Sequence, residues 1–376
     1  QGAKMPRITG PSEGPVAVTG AAGYIGAHVV KNLVEAGYAV RASVRDASRK
    51  DKTEFLLAMN ASGAGSVEIF EADLLQATSG AYDEVCAGCS AVFHVAADLR
   101  TDPAYGAGSA QRTYDAIMDG TKGVLESCRK AGSVKRVMYT SSCAAVWGGW
   151  RGGADPSGHE FTEEDWGGHG TDERLWNVEK ASYSKGKVDA EKYGYAWGEE
   201  TGIDVVSNMP AHVLGPVLSK TQNNVWQQKI GRALSGHSGQ DPSGGWIGLA
   251  FGQTIAALEG GAPGFLWNVI DVRDIGQAQR LMATSNVATN GSRYMMTATD
   301  ESGELTAQQM RAALSELYPD VAVCGDWQTP DTPDFWHGKC AKAIRELGLK
   351  TYPVLDTLRA TGDSLVEFGV IEFAKK

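Results

Sequence analysis

A serine, a tyrosine and a lysine occur in an order and spacing that suit carbonyl chemistry. Tyr183 and Lys187 are four residues apart in a helical pattern, which places both side chains on one face of a helix. A phenol has a pKa of about 10 in water, and a neighbouring ammonium lowers that pKa toward neutrality. Ser142 directly follows an apolar strand, where its hydroxyl can donate to a substrate carbonyl. Together the three predict proton donation to a carbonyl oxygen, although singly each also fits a surface tyrosine, a solvated lysine or a turn-capping serine.

A glycine-rich turn lies between the first apolar run and the first helical pattern. Gly20, Gly23 and Gly26 are spaced as G-x-x-G-x-x-G, with Tyr24 and Ile25 opening the helix. In a dinucleotide site the first glycine makes the tight turn, the second lets backbone amides approach a pyrophosphate, and the third lets the helix pack on the sheet. A turn that needs glycine for packing alone is the alternative. The strand before and the helix after favour the dinucleotide interpretation.

Positive charge after the second strand indicates which dinucleotide is bound. Arg45 ends the strand, and Arg49, Lys50 and Lys52 follow it. A cation at this place binds the 2′-phosphate of NADP, whereas an acidic residue binds the ribose hydroxyl of NAD. We therefore expect NADPH/NADP+. Asp46 keeps the NAD interpretation open, because a shift of one position would make it the acidic residue that binds the ribose hydroxyl. For the cations, a solvated loop remains an alternative.

Short apolar runs alternate with helical patterns from residue 15 to about residue 209. The predicted strands are 15–18, 40–44, 67–70, 91–95, 136–140 and 204–207, with helices expected around 25–36, 82–86, 115–131 and 183–200. This repeated order predicts an α/β fold with a doubly wound parallel sheet of Rossmann type. Helical patterns at 306–318 and 354–368 predict a smaller, mostly helical C-terminal substrate domain.

The domain boundaries follow from this change of pattern. We assign 14–215 plus about 267–290 to the nucleotide-binding domain, and 216–266 plus 291–376 to the substrate-binding domain. Residues 1–13 are read as an extension, of which 1–4 are typical of residues left by an expression vector. Gly- and Trp-rich segments at 148–170 and 216–264 interrupt the alternation, and long loops of this kind are usually functional.

Composition excludes several classes of function. The formal net charge is −10, from 35 Lys+Arg and 45 Asp+Glu, and no basic block stands out, which argues against nucleic-acid and membrane partners. No apolar stretch is long enough to span a bilayer and no secretory signal opens the chain, so a cytoplasmic location is expected. Six cysteines are too few for a disulfide scaffold. Cys86 and Cys89 lack a second pair for a metal and read as ordinary thiols at a helix end, so no metal is predicted.

Longer motifs carry a family resemblance. They are 18–26, 40–46, 92–97, 134–142, 209–216 and 272–275, with weaker matches at 318–319 and 355–365. On these motifs the sequence resembles the extended branch of the short-chain dehydrogenase/reductases. Within that branch it is similar to the dihydroflavonol reductase, cinnamoyl-CoA reductase and yeast-type aldehyde (methylglyoxal) reductase group, over roughly residues 14 to 290.

The resemblance implies roles for matching positions. Ser142, Tyr183 and Lys187 would be catalytic. The cofactor would meet Arg45 and Lys52 at its 2′-phosphate, Asp73 and Leu74 at its adenine, Val95 and Ala96 along its length, and Pro210 and Val213 at its nicotinamide. From the residues alone, Asp73 could instead cap the following helix.

Aromatic residues in the variable segments are candidates for the substrate pocket. They are Trp147, Trp150, His212, Trp226 and Trp246, and packing within the smaller domain is the alternative for each. Trp147 replaces the polar residue that flavonoid enzymes tend to carry, and His212 is unusual after the Met-Pro pair. These departures argue against flavonoid and thioester substrates without affecting hydride chemistry.

The predicted activity is NADPH-dependent reduction of an aldehyde or ketone to an alcohol, with Tyr183 as proton donor and a small-molecule substrate. Two alternatives are an NAD-retaining sugar-nucleotide epimerase or dehydratase of the same fold, and a non-catalytic NADP-sensing protein. The basic residues after the second strand argue against the first, and the presence of both Tyr183 and Lys187 argues against the second. A monomer or a homodimer is expected.

Overall fold

Seven parallel strands form the central sheet of the protein. The computed structural model describes residues 7–61, 64–98, 109–148, 159–170, 173–222, 225–236, 266–298, 303–323 and 337–376. The strands of the central sheet are β1 (Val16–Thr19), β2 (Ala39–Val44), β3 (Ser66–Glu71), β4 (Ala91–His94), β5 (Arg136–Thr140), β7 (Asp204–Pro210) and β10 (Arg293–Met296). Their order across the sheet is β10-β7-β5-β4-β1-β2-β3. The doubly wound α/β prediction is confirmed.

Helices cover both faces of this sheet, as parallel strands require. The helices are α1 (Tyr24–Glu35), α2 (Lys50–Leu57), α3 (Asp83–Cys86), α4 (Ala110–Ala131), α5 (Ala144–Trp147), α6 (Val178–Thr201), α7 (Val225–Leu234), α8 (Val272–Thr284), α9 (Ala307–Leu317), α10 (Ala341–Leu347) and α11 (Val354–Glu367). Residues of α1 and α8 share one hydrophobic core, whereas α4 and α6 contribute to a second. The core is therefore divided into two layers by the sheet.

A three-stranded sheet forms the centre of the smaller part. It consists of β8 (His212–Leu214), β9 (Leu266–Asp271) and β11 (Glu304–Thr306), with β9 in the middle. Its core includes side chains from α7, α9 and α11. A further pair of short strands joins β6 (Glu160–Phe161) to β12 (His337–Gly338). The smaller part thus contains a sheet that the helical prediction lacked, because its strands are only three to six residues long.

The observed elements divide the chain differently from the predicted boundaries. Strand β10 follows residue 290 and was assigned to the substrate domain, yet it pairs with β7 in the central sheet. Strands β8 and β9 were assigned to the nucleotide domain, yet they belong to the smaller sheet. The predicted N-terminal extension also contributes to the core, since the Ile8 side chain is fully buried and its N–H donates to the Ala283 carbonyl. Residues 1–6 lie outside the described ranges.

Helix α6 starts earlier than the pattern predicts. The Asn177 side chain accepts a hydrogen bond from the Lys180 amide at 3.0 Å and caps the helix. Ala181 has non-helical backbone angles, which places a kink two residues before Tyr183. Gly148, at the end of α5, lies so close to Ser184 that a side chain at this glycine would overlap the Ser184 hydroxyl. The start of α6 is therefore held against the segment that follows β5.

Candidate active site

The structure brings Ser142, Tyr183 and Lys187 to the carboxyl end of β5. The Lys187 ammonium donates to the Thr140 carbonyl at 3.0 Å, and its nitrogen lies 5.9 Å from the centre of the Tyr183 ring and 5.2 Å from the centre of the Tyr139 ring. The backbone N–H of Ala144 donates to the Ser142 hydroxyl oxygen at 3.2 Å. The predicted trio therefore forms one cluster at the edge of the sheet where ligands bind.

Burial lowers the pKa of Lys187. Its side chain is almost completely buried, and loss of hydration lowers the pKa of its ammonium to about 8, although the Glu191 carboxylate opposes this shift. The amine remains mostly charged at neutral pH. An ammonium next to a phenol favours the phenolate form, so this arrangement can make Tyr183 a better proton donor near pH 7.

The glycine turn can pack this closely against the protein backbone only because its glycines have no side chains. Gly20 has φ +64°, and a Cβ there would lie 2.8 Å from the Ala96 Cα. A Cβ on Gly26 would overlap the Gly20 carbonyl. Gly23 occupies the N-cap of α1, and within the described residues no side chain caps that helix end. The backbone amides at this end can therefore bind an anion, which fits the pyrophosphate of a dinucleotide.

Thr19 organises the strand beside this turn, a role that the sequence did not reveal. Its hydroxyl oxygen accepts hydrogen bonds from the backbone N–H groups of Val95 and Ala96, both at 3.0 Å. It also lies 2.9 Å from His94 Nδ1. Burial and the Lys187 charge lower the pKa of His94 to about 3, so the ring is neutral. A hydroxyl has one proton, which it donates to Nδ1. Thr19 thus fixes the two residues predicted to run along the cofactor.

The predicted phosphate-binding cations lie at the end of β2 and on α2. Arg45 is exposed directly after the strand, and the Lys52 ammonium donates to the Thr221 carbonyl at 3.2 Å. Arg49 pairs instead with Asp51 at 2.6 Å.

The Asp46 carboxylate accepts hydrogen bonds from the backbone N–H and the hydroxyl of Ser48, at 2.9 and 2.6 Å. The acidic candidate is therefore used in a local turn, whereas Arg45 faces solvent.

Several other predicted cofactor residues have structural contacts of their own. The Asp73 carboxylate accepts from the Leu75 amide at 3.1 Å, which is the capping role. Leu74 lies close enough to Gly120 of α4 that a Cβ there would contact its methyl at 2.8 Å. The buried Tyr24 hydroxyl donates to the Gly215 carbonyl at 2.8 Å.

The remaining predicted cofactor residues lie in the core shared by α1 and α8 and at the end of β7. Ile25 packs against the core shared by α1 and α8. The Pro210 carbonyl accepts from the Cys143 amide at 2.9 Å, which fixes the end of β7 beside Ser142. Val213 is buried in β8.

The substrate candidates fall into two groups. Trp147 is buried close to Ser142 and meets Phe161 edge-on, with 6.3 Å between the ring centres. His212 and Trp226 pack 4.4 Å apart in a cluster with Trp267, which the sequence analysis did not single out. Trp267 is fully buried. The apolar run that contains it was the sequence signal that could have indicated its burial.

His212 is bonded into this aromatic cluster. Its Nδ1 accepts from the Asn268 amide at 2.8 Å, and burial lowers the pKa of His212 to about 3. A neutral imidazole in this position favours packing and orientation over acid catalysis. Trp150 and Trp246 lie outside the described residues.

The cysteine pair has no catalytic geometry. Cys86 ends α3, and the Cys89 thiol donates to the Val85 carbonyl. Burial raises the pKa of Cys89 to about 12, so the thiolate is not accessible at neutral pH. Across the described ranges no group of three or more His, Cys, Asp or Glu side chains is arranged to hold a metal ion. None of the helices in those ranges has the length and apolar character needed to cross a bilayer.

Comparisons with known proteins identify the family of the chain. The family model described as "NAD dependent epimerase/dehydratase family" matches residues 16–294. The chain is 29% identical over 356 residues to a cinnamoyl-CoA reductase from Medicago truncatula, which covers 94% of this chain and 95% of that protein. It is 33% identical over 209 residues to a dihydroflavonol 4-reductase from Hordeum vulgare, about half the length of each chain (55% and 55%).

Solved structures show the same fold. Vestitone reductase from alfalfa superposes with a TM-score of 0.69 at 22% identity, covering 95% of this chain and all of that one (100%). A yeast methylglyoxal/isovaleraldehyde reductase complexed with NADPH gives a TM-score of 0.72 at 22% identity, covering 95% and 99%. The matching family model spans most of the chain, so the protein belongs to the NAD dependent epimerase/dehydratase family, within the extended short-chain dehydrogenase/reductases.

Proposed function

We propose that the protein is an NADPH-dependent reductase that converts an aldehyde or ketone to an alcohol. The observation that carries this proposal is the buried Lys187 ammonium beside the Tyr183 ring at the end of β5. Relatives named as reductases of carbonyl compounds support it. So does the glycine turn at the head of α1, where no described side chain caps the helix and the backbone amides can bind an anion.

The reduction adds one hydride and one proton across the C=O bond. When bound, NADPH would supply the hydride to the carbonyl carbon. Ser142 and Tyr183 donate hydrogen bonds to the carbonyl oxygen, which orients the substrate and stabilises the charge that develops there. Tyr183 then gives its proton to that oxygen, and the phenolate is reprotonated from solvent. Lys187 stabilises the phenolate in between.

Reduction should decline in alkaline solution because Lys187 loses its charge. The pKa of Lys187 is about 8, so the amine is protonated below that pH and neutral above it. We expect kcat/KM for carbonyl reduction to fall as pH rises through about 8, measured as a pH–rate profile. Lys185→Met is a matched control on the same helix, since Lys185 pairs with Asp189. This control should show the same fall in kcat/KM at high pH, the alkaline limb of the profile. A profile that stays flat to pH 10 would contradict the role of Lys187.

The two cations after β2 would hold the 2′-phosphate of the cofactor. Arg45 is exposed, and the Lys52 ammonium donates to the Thr221 backbone carbonyl, so both side chains can turn toward a phosphate. Thr19 would support the cofactor indirectly, because it fixes Val95 and Ala96 next to the glycine turn.

Thr19→Val should weaken cofactor binding by about tenfold. The variant keeps the side-chain shape but leaves two backbone N–H groups without their acceptor, which costs about 1–3 kcal/mol each when buried. Fluorescence titration with NADPH measures the dissociation constant, and thermal denaturation measures the accompanying loss of stability. Thr284→Val, at the end of α8, removes a hydroxyl that bonds only within its own helix turn and serves as the control. Equal NADPH affinity in the two variants would refute the role of Thr19.

An NADPH oxidation screen tests the proposed function directly. Aldehydes, α-dicarbonyls, aryl ketones and flavanonols are supplied as substrates, with NADH run beside NADPH. We expect substrate-dependent oxidation that is faster with NADPH. NAD that remains bound through purification, together with no turnover of any carbonyl, would instead favour a cofactor-retaining epimerase or dehydratase.

A further inference from the structure

A buried ion pair lies directly behind the candidate active site. Glu191 is fully buried on α6, one helical turn after Lys187, and Arg293 is buried at the start of β10. Arg293 Nε donates to Glu191 Oε2 at 2.8 Å. Removing two charges from water is unfavourable, and a buried ion pair is weak evidence for stability. A pair at this position therefore suggests a function.

The Glu191 carboxylate also holds the chain next to the catalytic serine. One of its oxygens accepts from the Ser141 hydroxyl, and the other accepts from the Tyr195 hydroxyl at 2.9 Å. The backbone N–H of Ser141 donates to the Asn208 carbonyl at 2.8 Å. Ser141 is thus fixed on two sides, and the direction of Ser142 follows from it.

Arg293 is held by the segments that surround the site. Its guanidinium donates to the Glu163 and Asp165 carbonyls, both at 2.7 Å, and to the Ala145 carbonyl at 3.3 Å. The Trp166 ring stacks on it, with 3.7 Å between the guanidinium carbon and the ring centre. These contacts keep the positive charge of Arg293 in place against the Glu191 carboxylate.

Glu191 supplies the negative charge that faces Lys187. The titratable groups packed around this lysine are Tyr183 and Glu191 on its own helix, Tyr139 on β5 and His94 on β4. Burial lowers the pKa of His94 to about 3 and raises that of Tyr139, so both are neutral at pH 7. Among these groups the carboxylate of Glu191 is the one that opposes the desolvation of the ammonium.

We infer that Glu191 is a positioning residue for the reduction: its carboxylate keeps Lys187 charged and fixes Ser141 beside Ser142, and Arg293 is the counter-ion that allows it to be buried. The kinetic consequence rests on the proposed function. The effect on Lys187 does not, because it can be measured without turnover.

The test is Glu191→Gln, which keeps the shape of the side chain and removes its charge. Without the carboxylate the pKa of Lys187 falls, by about 1 for one lost neighbouring charge. We expect kcat/KM for carbonyl reduction close to wild type at pH 6 and about fivefold lower at pH 8, since the alkaline limb moves to lower pH. In protein labelled with ¹³C at lysine Cε, the Lys187 signal should titrate at lower pH than in wild type.

The NMR measurement separates the two proposals. If no carbonyl is reduced by the wild type, the proposed function fails, whereas a lowered Lys187 titration in Glu191→Gln still supports the inference. If the wild type reduces carbonyls but neither the Lys187 titration nor the alkaline limb moves in the variant, the inference is overturned and the proposed function stands.

Further variants separate charge from folding. Glu191→Gln leaves Arg293 buried without its partner, so the double variant Glu191→Gln/Arg293→Gln is measured beside it. A purely structural pair would regain the wild-type pH profile in the double variant, whereas the inference requires the shift to persist. Asp204→Asn is the matched control, because Asp204 pairs with the buried Arg136 at 2.8 Å at the opposite, amino-terminal end of β5 and β7. It should lower the melting temperature without moving the alkaline limb.

Ser141→Ala tests the second half of the inference. It removes the hydroxyl that donates to Glu191 and leaves the carboxylate charge in place. We expect a lower kcat across the pH range and an unmoved alkaline limb. Wild-type kcat in this variant would show that Ser141 does not position Ser142.

Discussion

Tyr183→Phe is expected to lower kcat for carbonyl reduction by about 10²–10⁴-fold, the usual contribution of a positioned general acid. The phenyl ring occupies the same space beside Lys187 but has no proton to donate, so the alkoxide that forms on hydride transfer must take its proton from water. The ring remains 5.9 Å from the ammonium, and the fold should be unaffected. Single-turnover and steady-state rates with NADPH and a good carbonyl substrate measure the loss.

The matched control for this variant lies on the same helix. Tyr193 is exposed on α6, and Tyr193→Phe removes a hydroxyl from the same element without touching the site. NADPH affinity should be unchanged in both variants, which separates loss of chemistry from loss of binding. Turnover of Tyr183→Phe within a few-fold of wild type would remove the basis of the proposed mechanism.

Arg45→Ala combined with Lys52→Met should abolish the preference for NADPH over NADH. Each charge-assisted contact to a phosphate contributes about 10- to 100-fold in affinity. The NADPH dissociation constant should therefore rise by about 10²–10⁴-fold in the double variant, while that for NADH changes little. Titrating both cofactors against wild type and variant measures the ratio.

Two neighbouring residues sharpen this test. Arg49 is already paired with Asp51, so Arg49→Ala should leave the ratio of the two affinities unchanged. Asp46→Asn addresses the opposite assignment, in which Asp46 binds the ribose of NAD. An NADPH-to-NADH ratio that survives loss of Arg45 and Lys52, or NADH binding that depends on Asp46, would reverse the cofactor assignment.

The parts of the site that lie close together in sequence could be predicted. The glycine turn is recognisable because strand, glycines and helix follow one another within about ten residues, and each glycine answers a local steric demand. Tyr183 and Lys187 share a helix face through their spacing alone. The position of Ser142 follows from its place after β5, since the carboxyl ends of parallel strands meet at one edge.

Contacts between distant segments could not be predicted. Arg293 is the first residue of β10, a strand that the predicted boundaries placed outside the central sheet. A buried arginine requires a partner, and the local sequence pattern does not reveal that partner. That partner is Glu191, separated from it by 102 positions. Thr19 likewise finds its partners 75 to 77 positions away. Such pairs depend on how the folded chain packs, and they produce no periodic pattern in the sequence.

The smaller sheet illustrates the same limit. Strand β8 contains three residues and β11 contains three, too few for an alternating pattern to rise above chance. The association of His212 with Trp267 arises only when β8 pairs with β9. The prediction of a helical domain thus gave α9 and α11 correctly and missed the three strands that precede α9.

The edge strand β10 has a consequence for the order of folding. Ala39 of β2 pairs with Ser66 of β3, 27 positions away, whereas Ser207 of β7 pairs with Arg293 of β10, 86 positions away. Because closing long loops slows folding, we expect β10 to join the sheet after β2 and β3 have paired. Pulse-labelled hydrogen exchange during refolding should therefore show protection of the β2 and β3 amides before protection of those in β10.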